Sequence, residues 1–298
     1  MSSEQSPPPH VPSEVFAVLG DEVRMAVLRA LAESWNRAGF DLDYALSFTE
    51  LRRATGVDDS GRFNYHLQQL TDHFVHKVDD GYEFRYLGWK IARLILNEGI
   101  HEPYDVEPFS FSGDCHACGH GTLVGRYVNE WLWIRCPACE TPITDVEVRP
   151  RVLAERSTAE VIGLCDRRMR RRIRLFLDGV CADCLDDTEQ TVGVHAWGPD
   201  EFVRLIHECS GCDTRWLPAM GWYAIDDPRV VAFYDDRGVD VESVPYWELG
   251  PLVSDAYTTV VGSAEVPRRF VVEFSCRGNV LPAVVDARGA VRGVGDVV

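Results

Sequence analysis

The chain has 298 residues, 46% of them hydrophobic, and a formal net charge of -17 at pH 7. This length predicts about two domains, and the apolar content is sufficient for folded cores. The sequence has no run of about 18 apolar residues, so we expect no membrane span. Residues 1–11 are polar and proline-rich, which predicts a disordered tail and not a secretion signal. We therefore expect a cytoplasmic protein.

Helix-capping residues recur through the first hundred positions. Ser13 and Asp21 each precede a segment with apolar residues at helical spacing, and Gly20 separates the two segments. Ser47 to Glu50 matches the capping box S-x-x-E, which predicts a third helix that ends near Gly56. The region therefore begins with three helices.

The segment SGRFNYHLQQL, residues 60–70, predicts a fourth helix with two different sides. Phe63, Leu67, Leu70 and Phe74 form an apolar stripe. On the other side, amide groups can form bidentate hydrogen bonds with adenine, arginine prefers guanine, and a glycine near the helix start lets the backbone approach a phosphate. The DNA-binding residues predicted on this segment are Ser60, Gly61, Arg62, Asn64, Tyr65, Gln68 and Gln69.

Alternating residues around Asp80-Gly81 predict a β-hairpin after the fourth helix, and an amphipathic helix follows it. Because the hairpin tip is acidic, we assign its phosphate contacts to Lys77 and Arg85. This order of elements over residues 12–100 predicts a winged helix-turn-helix domain. Such a domain places one helix in the major groove, and a dimer of it reads two half-sites.

Residues 13–97 resemble the ArsR-type winged-helix regulators, and the segments SGRFNYHLQQL and DDGYEFRYLG resemble the version found in haloarchaeal regulators. The resemblance implies a transcription regulator that binds double-stranded DNA as a homodimer, with the first and last helices forming the dimer contact. Metal-sensing members carry a Cys-x-Cys pair in the third helix. Residues 47–56 contain no cysteine, so a metal-sensing role is not implied.

The composition is similar to that of proteins from salt-loving archaea. Acids outnumber bases 47 to 30, and Lys77 and Lys90 are the only lysines among the bases. At molar salt the Debye length is about 3 Å, so distant carboxylates hardly repel a phosphate backbone. An acidic chain is therefore compatible with DNA binding in such a cytoplasm.

Eight of the ten cysteines form four C-x-x-C pairs. Tetrahedral Zn²⁺ takes four thiolate or imidazole ligands, and each C-x-x-C turn supplies two of them. We predict two structural Zn²⁺ sites without the open coordination position that catalysis requires, and no enzyme activity. The predicted ligands are Cys115, Cys118, Cys136 and Cys139 in the first site, and Cys181, Cys184, Cys209 and Cys212 in the second.

Other interpretations of the cysteines are weaker. A thioredoxin-like redox role needs an exposed pair at a helix start in a βαβ unit, which the pattern does not show, and disulfides are disfavoured in a reducing cytosol. His116, His120 and His207 are alternative ligands, although we expect them to be solvated neighbours. Cys165 and Cys276 stand outside the pairs, and we expect both to be buried.

The remaining chain is assigned by its cysteine spacing and by its strand-like segments. We predict a first zinc ribbon at residues 105–148, a connecting arginine-rich helix at 149–180, and a second zinc-ribbon-like module with a C-terminal α+β region at 181–298. The whole chain is therefore predicted to be α+β, with an N-terminal winged helix-turn-helix, zinc-ribbon-like modules, a connecting helix and a small antiparallel sheet. Residues 105–298 resemble the uncharacterised region attached to haloarchaeal regulators of this type.

The connecting helix has two interpretations. Its arginines could form a second nucleic-acid contact, or they could pair with the many acids of this chain, which is the interpretation we favour. The arginines concerned are Arg167, Arg168, Arg170, Arg171, Arg172 and Arg174.

Beyond residue 221, DPRVVAFYDDRG predicts a short helix, and four segments predict strands: VESVPYWEL, AYTTVVGS, RRFVVEFSC and LPAVVDARG. Trp197, Trp216, Trp222 and Trp247 could line a pocket, although we expect them to fill a core.

Two functions follow from this pattern. The first is a dimeric, sequence-specific transcriptional regulator whose C-terminal part binds a small effector or a protein of the transcription machinery. The second is a zinc-ribbon interaction module that docks on that machinery without sequence-specific DNA binding.

Overall fold

The computed structural model describes residues 13–38, 44–96, 106–197, 200–262 and 268–295, and the tail predicted at residues 1–11 lies outside them. The chain divides into two compact units between Pro103 and Tyr104. The described residues form eight α-helices and several small antiparallel sheets, so the predicted α+β class is confirmed at that level. None of these helices has the length and apolarity needed to cross a membrane.

The described residues of the first unit form helices and one hairpin. Its α2 helix begins where Asp21 Oδ1 accepts the backbone N–H groups of Val23 and Arg24 at 3.0 and 3.1 Å. The predicted capping box of Ser47 and Glu50 is closed in both directions at the start of α3. The elements in chain order are α1 (Ser13–Ala17), α2 (Glu22–Ala38), α3 (Phe48–Thr55), α4 (Ser60–Thr71), β1 (Val75–Val78), β2 (Gly81–Phe84) and α5 (Tyr86–Leu96).

The apolar stripe of α4 forms the centre of this unit. Phe63, Leu67, Leu70 and Phe74 are each at most 1% exposed, as predicted. However, α4 ends at Thr71, so Phe74 lies in the turn before β1 and not on the helix. These side chains belong to one core with apolar residues of α2 and α3, which fixes the side of α4 that faces outward.

The hairpin forms where Asp80-Gly81 predicts it, but the glycine is needed for a different reason. Asp79 and Asp80 make the turn, and Gly81 already pairs with Val78 in the ladder. A Cβ on Gly81 would lie 2.4 Å from the carbonyl oxygen of Leu46. Leu46 forms an isolated β-bridge with Tyr82 of β2, so this position needs glycine because another backbone approaches it closely.

The second unit contains three antiparallel sheets with the orders β3-β4-β5-β6, β7-β8-β9 and β10-β11-β12-β13. Four 3-10 turns lie at Met220–Tyr223, Tyr246–Glu248, Gly250–Leu252 and Asp255–Tyr257. The other elements are β3 (Phe109–Ser112), β4 (Thr122–Val128), β5 (Trp131–Arg135), β6 (Pro142–Glu147), α6 (Pro150–Glu155), α7 (Thr158–Leu177), β7 (Thr188–Trp197), β8 (Asp200–Cys209), β9 (Arg215–Trp216), α8 (Pro228–Asp235), β10 (Thr258–Val261), β11 (Arg269–Cys276), β12 (Asn279–Asp286) and β13 (Val291–Val294).

Two predictions for this unit are wrong. The connecting helix predicted at residues 149–180 is divided into α6 and α7, because Ser157 and Glu160 form a second capping box that starts a new helix. The segment VESVPYWEL is not a strand, because the backbone N–H of Tyr246 donates to Asp166 Oδ1 at 2.7 Å instead of joining a ladder. Strand β13 was not predicted.

One hydrophobic core extends across the second unit, so the module boundaries predicted at residues 148 and 180 fall inside it. It includes Ile134 of β5, Met169 of α7, Leu205 of β8 and Phe274 of β11, each less than a tenth exposed. Cys165 and Cys276 are buried, as expected.

The tryptophans of this unit are mainly part of that core. Trp222 and Trp247 are 3% and 0% exposed, which confirms the core interpretation for both. Trp216 is partly buried against the core. The side chain of Trp197 lies outside the described part of the chain.

Candidate functional site

The first four-cysteine cluster lies where two loops of the β3-β4-β5-β6 sheet meet. One C-x-x-C turn lies between β3 and β4, and the other lies between β5 and β6. The Sγ atoms of Cys115 and Cys139 are 3.7 Å apart, and those of Cys118 and Cys136 are 3.6 Å apart. All four sulfur atoms lie within 4.8 Å of one another.

The second cluster repeats this arrangement on the β7-β8-β9 sheet. One turn precedes β7, and the other lies between β8 and β9. The Sγ atoms of Cys181 and Cys212 are 3.6 Å apart, and those of Cys184 and Cys209 are 3.4 Å apart. These four sulfurs also lie within 4.8 Å of one another.

The donor atoms of both clusters fit a tetrahedral thiolate site. A metal–sulfur distance of about 2.3 Å places tetrahedral sulfurs about 3.8 Å apart, which is close to the observed spacings. Both clusters are therefore positioned to bind a metal ion through cysteines alone. His207 is not a ligand and is not a solvated neighbour as predicted, because it is 1% exposed and its Nε2 lies 2.7 Å from the hydroxyl of Tyr223.

All four C-x-x-C turns share one backbone feature. In each, the residue after the second cysteine has a positive φ, a conformation that side chains other than glycine seldom adopt. In three of them its N–H donates to the carbonyl oxygen of the first cysteine. The same left-handed step in every turn, which is strained in the three turns without glycine, indicates that it serves to direct the two sulfurs to one point. The residues and φ values are Gly119 (70°), Glu140 (57°), Leu185 (67°) and Asp213 (56°).

A threonine hydroxyl approaches one sulfur of each cluster. Thr141 Oγ1 lies 3.1 Å from Cys139 Sγ, and Thr214 Oγ1 lies 3.1 Å from Cys212 Sγ. Hydrogen bonds from the Thr141 hydroxyl and backbone lower the pKa of the Cys139 thiol to about 6, and those from Thr214 lower the pKa of Cys212 to about 7. These contacts favour the thiolate, which is the form that binds metal.

Sequence reasoning missed these threonines, although a signal was present. The second turn of each cluster reads C-x-x-C followed by an acid and a threonine, as CPACET and as CSGCDT. This repeat sets the second turns apart from the first turns, CHACGH and CADCLD. Matching the two clusters against each other would have identified Thr141 and Thr214 as candidate site residues.

The DNA-binding residues predicted on α4 lie together on its outer side. Ser60, Gly61, Arg62, Asn64, Tyr65, Gln68 and Gln69 are all exposed, and Tyr65 is 58% exposed. We call Arg62, Asn64, Tyr65, Gln68 and Gln69 the readout face. It contains no carboxylate.

The start of α4 differs from the expectation for Gly61. Asp59 caps the helix, and its Oδ1 accepts the backbone N–H of Arg62 at 2.6 Å. A Cβ on Gly61 would lie 3.3 Å from the same oxygen. The helix N-terminus is therefore already occupied by a carboxylate of the chain, which opposes the close phosphate approach predicted at Gly61.

The two basic residues predicted on the hairpin have different surroundings. Lys77 is exposed on β1. Arg85 Nε lies 3.3 Å from each of two carbonyl oxygens, those of Thr71 and Val75, and donates to both. Arg85 therefore connects the end of α4 to the hairpin, and Lys77 is the freer of the two cations.

The arginines of α7 are largely engaged within the chain. Arg168 pairs with Glu147, and Arg170 with Asp166, where both partners are nearly buried. Three further ion pairs join Arg172 to Asp183 at 2.8 Å, and Arg174 to Asp226 and Glu242 at 3.0 and 2.6 Å. Four of the six arginines thus follow the ion-pair interpretation, and Arg167 and Arg171 have no carboxylate partner within the described ranges.

The fold and the clusters define a mixed α+β protein with two four-cysteine metal-binding clusters in one unit. Residues 112–291 match the family model described as Domain of unknown function (DUF7351), and residues 12–95 match the model described as Domain of unknown function (DUF7347). Since the first match spans more than half of the chain, the protein belongs to the DUF7351 family. Neither a curated protein nor a solved structure matches the chain.

Proposed function

We propose that the protein is a sequence-specific, double-stranded DNA-binding transcriptional regulator of the ArsR-like winged helix-turn-helix type, with two structural Zn²⁺ sites. The observation that carries the proposal is the readout face of α4. Amide, phenol and guanidinium groups are exposed along one side of that helix while its opposite side is anchored in the core. Such side chains read base edges in the major groove.

The order of elements supports this proposal. Helix α3 ends at Thr55 and is capped by Gly56, which adopts φ of 67°, and α4 begins four residues after Gly56. A short connection between two helices followed by a β-hairpin is the arrangement in which the second helix enters the groove and the hairpin acts as the wing. In this proposal Lys77 contacts a phosphate from the wing.

A homodimer is supported by apolar residues left exposed on the outer helices. Phe16 on α1 is 61% exposed, and Tyr86 and Leu94 on α5 are 72% and 56% exposed. A homodimer that packs these side chains together would bury them as one apolar patch, and such patches are typical of interfaces between chains. The first and last helices of the unit are also those expected to form the dimer contact.

Zinc is the metal that the clusters fit best. Four thiolates at tetrahedral spacing suit Zn²⁺. When bound, the ion would join two distant turns of each sheet and supply folding energy, with all four positions filled by cysteine. We propose no enzymatic reaction for these sites.

Substitution of the readout face tests DNA recognition. A binding sequence would first be selected from random duplex DNA with the full-length, zinc-loaded protein. Asn64→Ala and Gln68→Ala should each weaken binding to that sequence by about 5- to 150-fold per half-site, because each bidentate contact contributes about 1–3 kcal/mol. The loss for a dimer on two half-sites should be roughly the square of that factor. Asn36→Ala, at an exposed position of α2, is the matched control and should bind normally.

A second test uses the dependence of binding on salt. Each neutralised phosphate contributes about -0.9 to the slope of log affinity against log salt concentration. Even if Arg62 contacts a phosphate in addition to Lys77 in each protomer, a dimer should show a slope no steeper than about -4. If selection yields no preferred sequence, or if both alanine variants bind unchanged, the domain docks on protein instead and the regulator proposal is wrong.

A further inference from the structure

The outer surface of the first cysteine sheet has an unusual composition. Strand β5 alternates regularly, with Leu132 and Ile134 buried and Trp131, Trp133 and Arg135 pointing outward. On a sheet with one solvated side, the outward positions are usually polar. The outward residues of β4 and β5 together form what we call the tryptophan face: Val124, Arg126, Val128, Trp131, Trp133 and Arg135.

The two tryptophan rings of this face are open. Trp131 and Trp133 are 40% and 39% exposed, and their ring centroids lie 6.3 Å apart. By contrast, Trp216 and Trp222 in the same unit have the guanidinium groups of Arg172 and Arg170 over their rings. No cation lies over Trp131 or Trp133 anywhere in the described part of the chain, so both rings keep a surface on which a planar group can stack.

The arginines of the tryptophan face are also available. Arg126 lies directly opposite Trp133 in the strand register, and Arg135 follows Trp133 by two residues. Neither guanidinium has a carboxylate partner among the described residues, although the chain has 47 acids. Four arginines of α7 in the same unit do have such partners. The free pair therefore favours a negatively charged ligand.

An open groove lies beside these residues. Its volume is about 600 Å³, and Arg126, Trp133, Arg135 and Pro137 contribute to its walls. Glu140 also borders it, and Asp145 lies opposite Trp133 in the register with β6. Because these acids offset the arginines, stacking must supply most of the binding free energy, and charge must supply less.

We propose that the tryptophan face binds single-stranded nucleic acid, with bases stacked on Trp131 and Trp133 and phosphates held by Arg126 and Arg135. Stacking on aromatic side chains tolerates any base, and arginine recognises phosphate through paired hydrogen bonds. Duplex DNA keeps its base faces covered, so this ligand differs from the one proposed for α4. The inference rests on a different unit of the chain and does not depend on the regulator proposal.

Fluorescence anisotropy with the full-length, zinc-loaded protein tests this binding. The probes are fluorescein-labelled dT12 and U12, which distinguish single-stranded DNA from RNA, and binding of either supports the proposal. Trp131→Ser combined with Trp133→Ser should weaken binding at least about thirty-fold, because two stacked bases are lost. Val261→Ser combined with Val280→Ser removes two other exposed apolar side chains and should bind as the unchanged protein does.

Variants of the arginines and of α4 provide further comparisons with the unchanged protein. Arg126→Gln combined with Arg135→Gln should reduce the salt slope by about 1.4, the value for two phosphates of a single strand. Arg167→Gln combined with Arg171→Gln, two exposed arginines of α7, should leave the slope unchanged. The α4 variants Asn64→Ala and Gln68→Ala should still bind dT12, which separates this test from that of the regulator proposal.

Several results would overturn the inference. The unchanged protein could fail to bind either probe, or the double tryptophan variant could bind as well as the control. Duplex DNA of random sequence or poly-glutamate could displace the probe as effectively as unlabelled dT12, which would identify simple charge attraction. Sedimentation could show that the tryptophan variant becomes monomeric while binding the probes normally, which would identify the face as a contact between two copies of the chain.

Discussion

The two cysteine clusters have the same local design but different surroundings. Each has four cysteines, a left-handed residue after each second cysteine, and a threonine beside one exposed sulfur. In the first cluster, Cys115 and Cys136 belong to the main core of the unit. In the second, Cys181 and Cys209 belong to a small separate core with Phe176 of α7. The first cluster thus packs into the main core, whereas the second cluster, with the same local design, packs into a small peripheral core.

One residue adds a second difference between the clusters. Asp183 stands in the second cluster where Ala117 stands in the first, as the third residue of the C-x-x-C turn. Asp183 Oδ2 accepts hydrogen bonds from Arg172 at 2.8 Å and from the hydroxyl of Thr214 at 3.2 Å. The second cluster is therefore joined to α7 by polar contacts, and its threonine hydroxyl has two acceptors competing for one proton.

Removal of metal from both clusters should have the largest effect. Structural Zn²⁺ contributes an apparent binding free energy of about 10–16 kcal/mol per site, which is comparable to the whole stability of a typical domain. Strands β4, β5, β7 and β8 should then lose amide protection in hydrogen exchange, while α2 and α4 of the first unit should keep it. Protection that survives complete chelation under reducing conditions would show that neither cluster contributes to folding.

Removal of one cluster at a time should show how the effect on stability depends on the surroundings of each cluster. Cys136→Ser and Cys209→Ser should each lower the bound zinc, measured by mass spectrometry, from two ions to one. Cys136→Ser should lower the melting temperature more, because Cys136 lies in the main core, whereas faster exchange in Cys209→Ser should be confined to residues 181–216. Cys165→Ala, a buried cysteine outside both clusters, is the control and should keep both ions. Equal destabilisation by the two serine variants would contradict the distinction.

Substitution of the two threonines should show the smallest difference between the clusters, and the difference should lie in metal affinity. Contacts behind a metal ligand typically change metal affinity by about 10- to 100-fold. Thr141→Val should weaken metal binding by about 10-fold in competition with a chromophoric chelator, because the hydroxyl of Thr141 has Cys139 Sγ as its partner. Thr214→Val should have a smaller effect, since Asp183 already competes for that hydroxyl proton. Serine at each position should restore affinity, and a larger loss at Thr214 would refute the explanation.

Local patterns in the sequence were sufficient for much of the fold and for the metal ligands. The capping box at Ser47 depends on residues three positions apart, and each C-x-x-C turn brings its two sulfurs together by itself. The stripe from Phe63 to Leu70 follows from helix periodicity alone. Such features can be predicted because all the atoms that determine them are close in the sequence.

Features that depend on distant residues were not predictable in this way. The segment around Tyr246 has strand-like composition, but its N–H is taken by Asp166, which lies 80 residues earlier. The role of Gly81 depends on the backbone of Leu46. The break between α6 and α7 could have been predicted from local sequence, because Ser157 and Glu160 match the capping-box pattern. It was overlooked because the arginine-rich composition continues through the segment.

The buried contact of Asp166 and Arg170 has a consequence for how the chain is completed during synthesis. Asp166 accepts the N–H of Tyr246, and Arg170 Nη2 donates to the carbonyl oxygen of Val244 at 2.6 Å. A nascent chain that has reached only the second cluster contains both charges but not the backbone groups that satisfy them, and such unmatched buried charges are costly. Val244 and Tyr246 lie 32 and 34 residues beyond Cys212, the last cysteine of the second cluster, so α7 gains these partners only after both clusters have been synthesised. Truncation between Cys212 and Val244 should therefore yield an aggregating fragment.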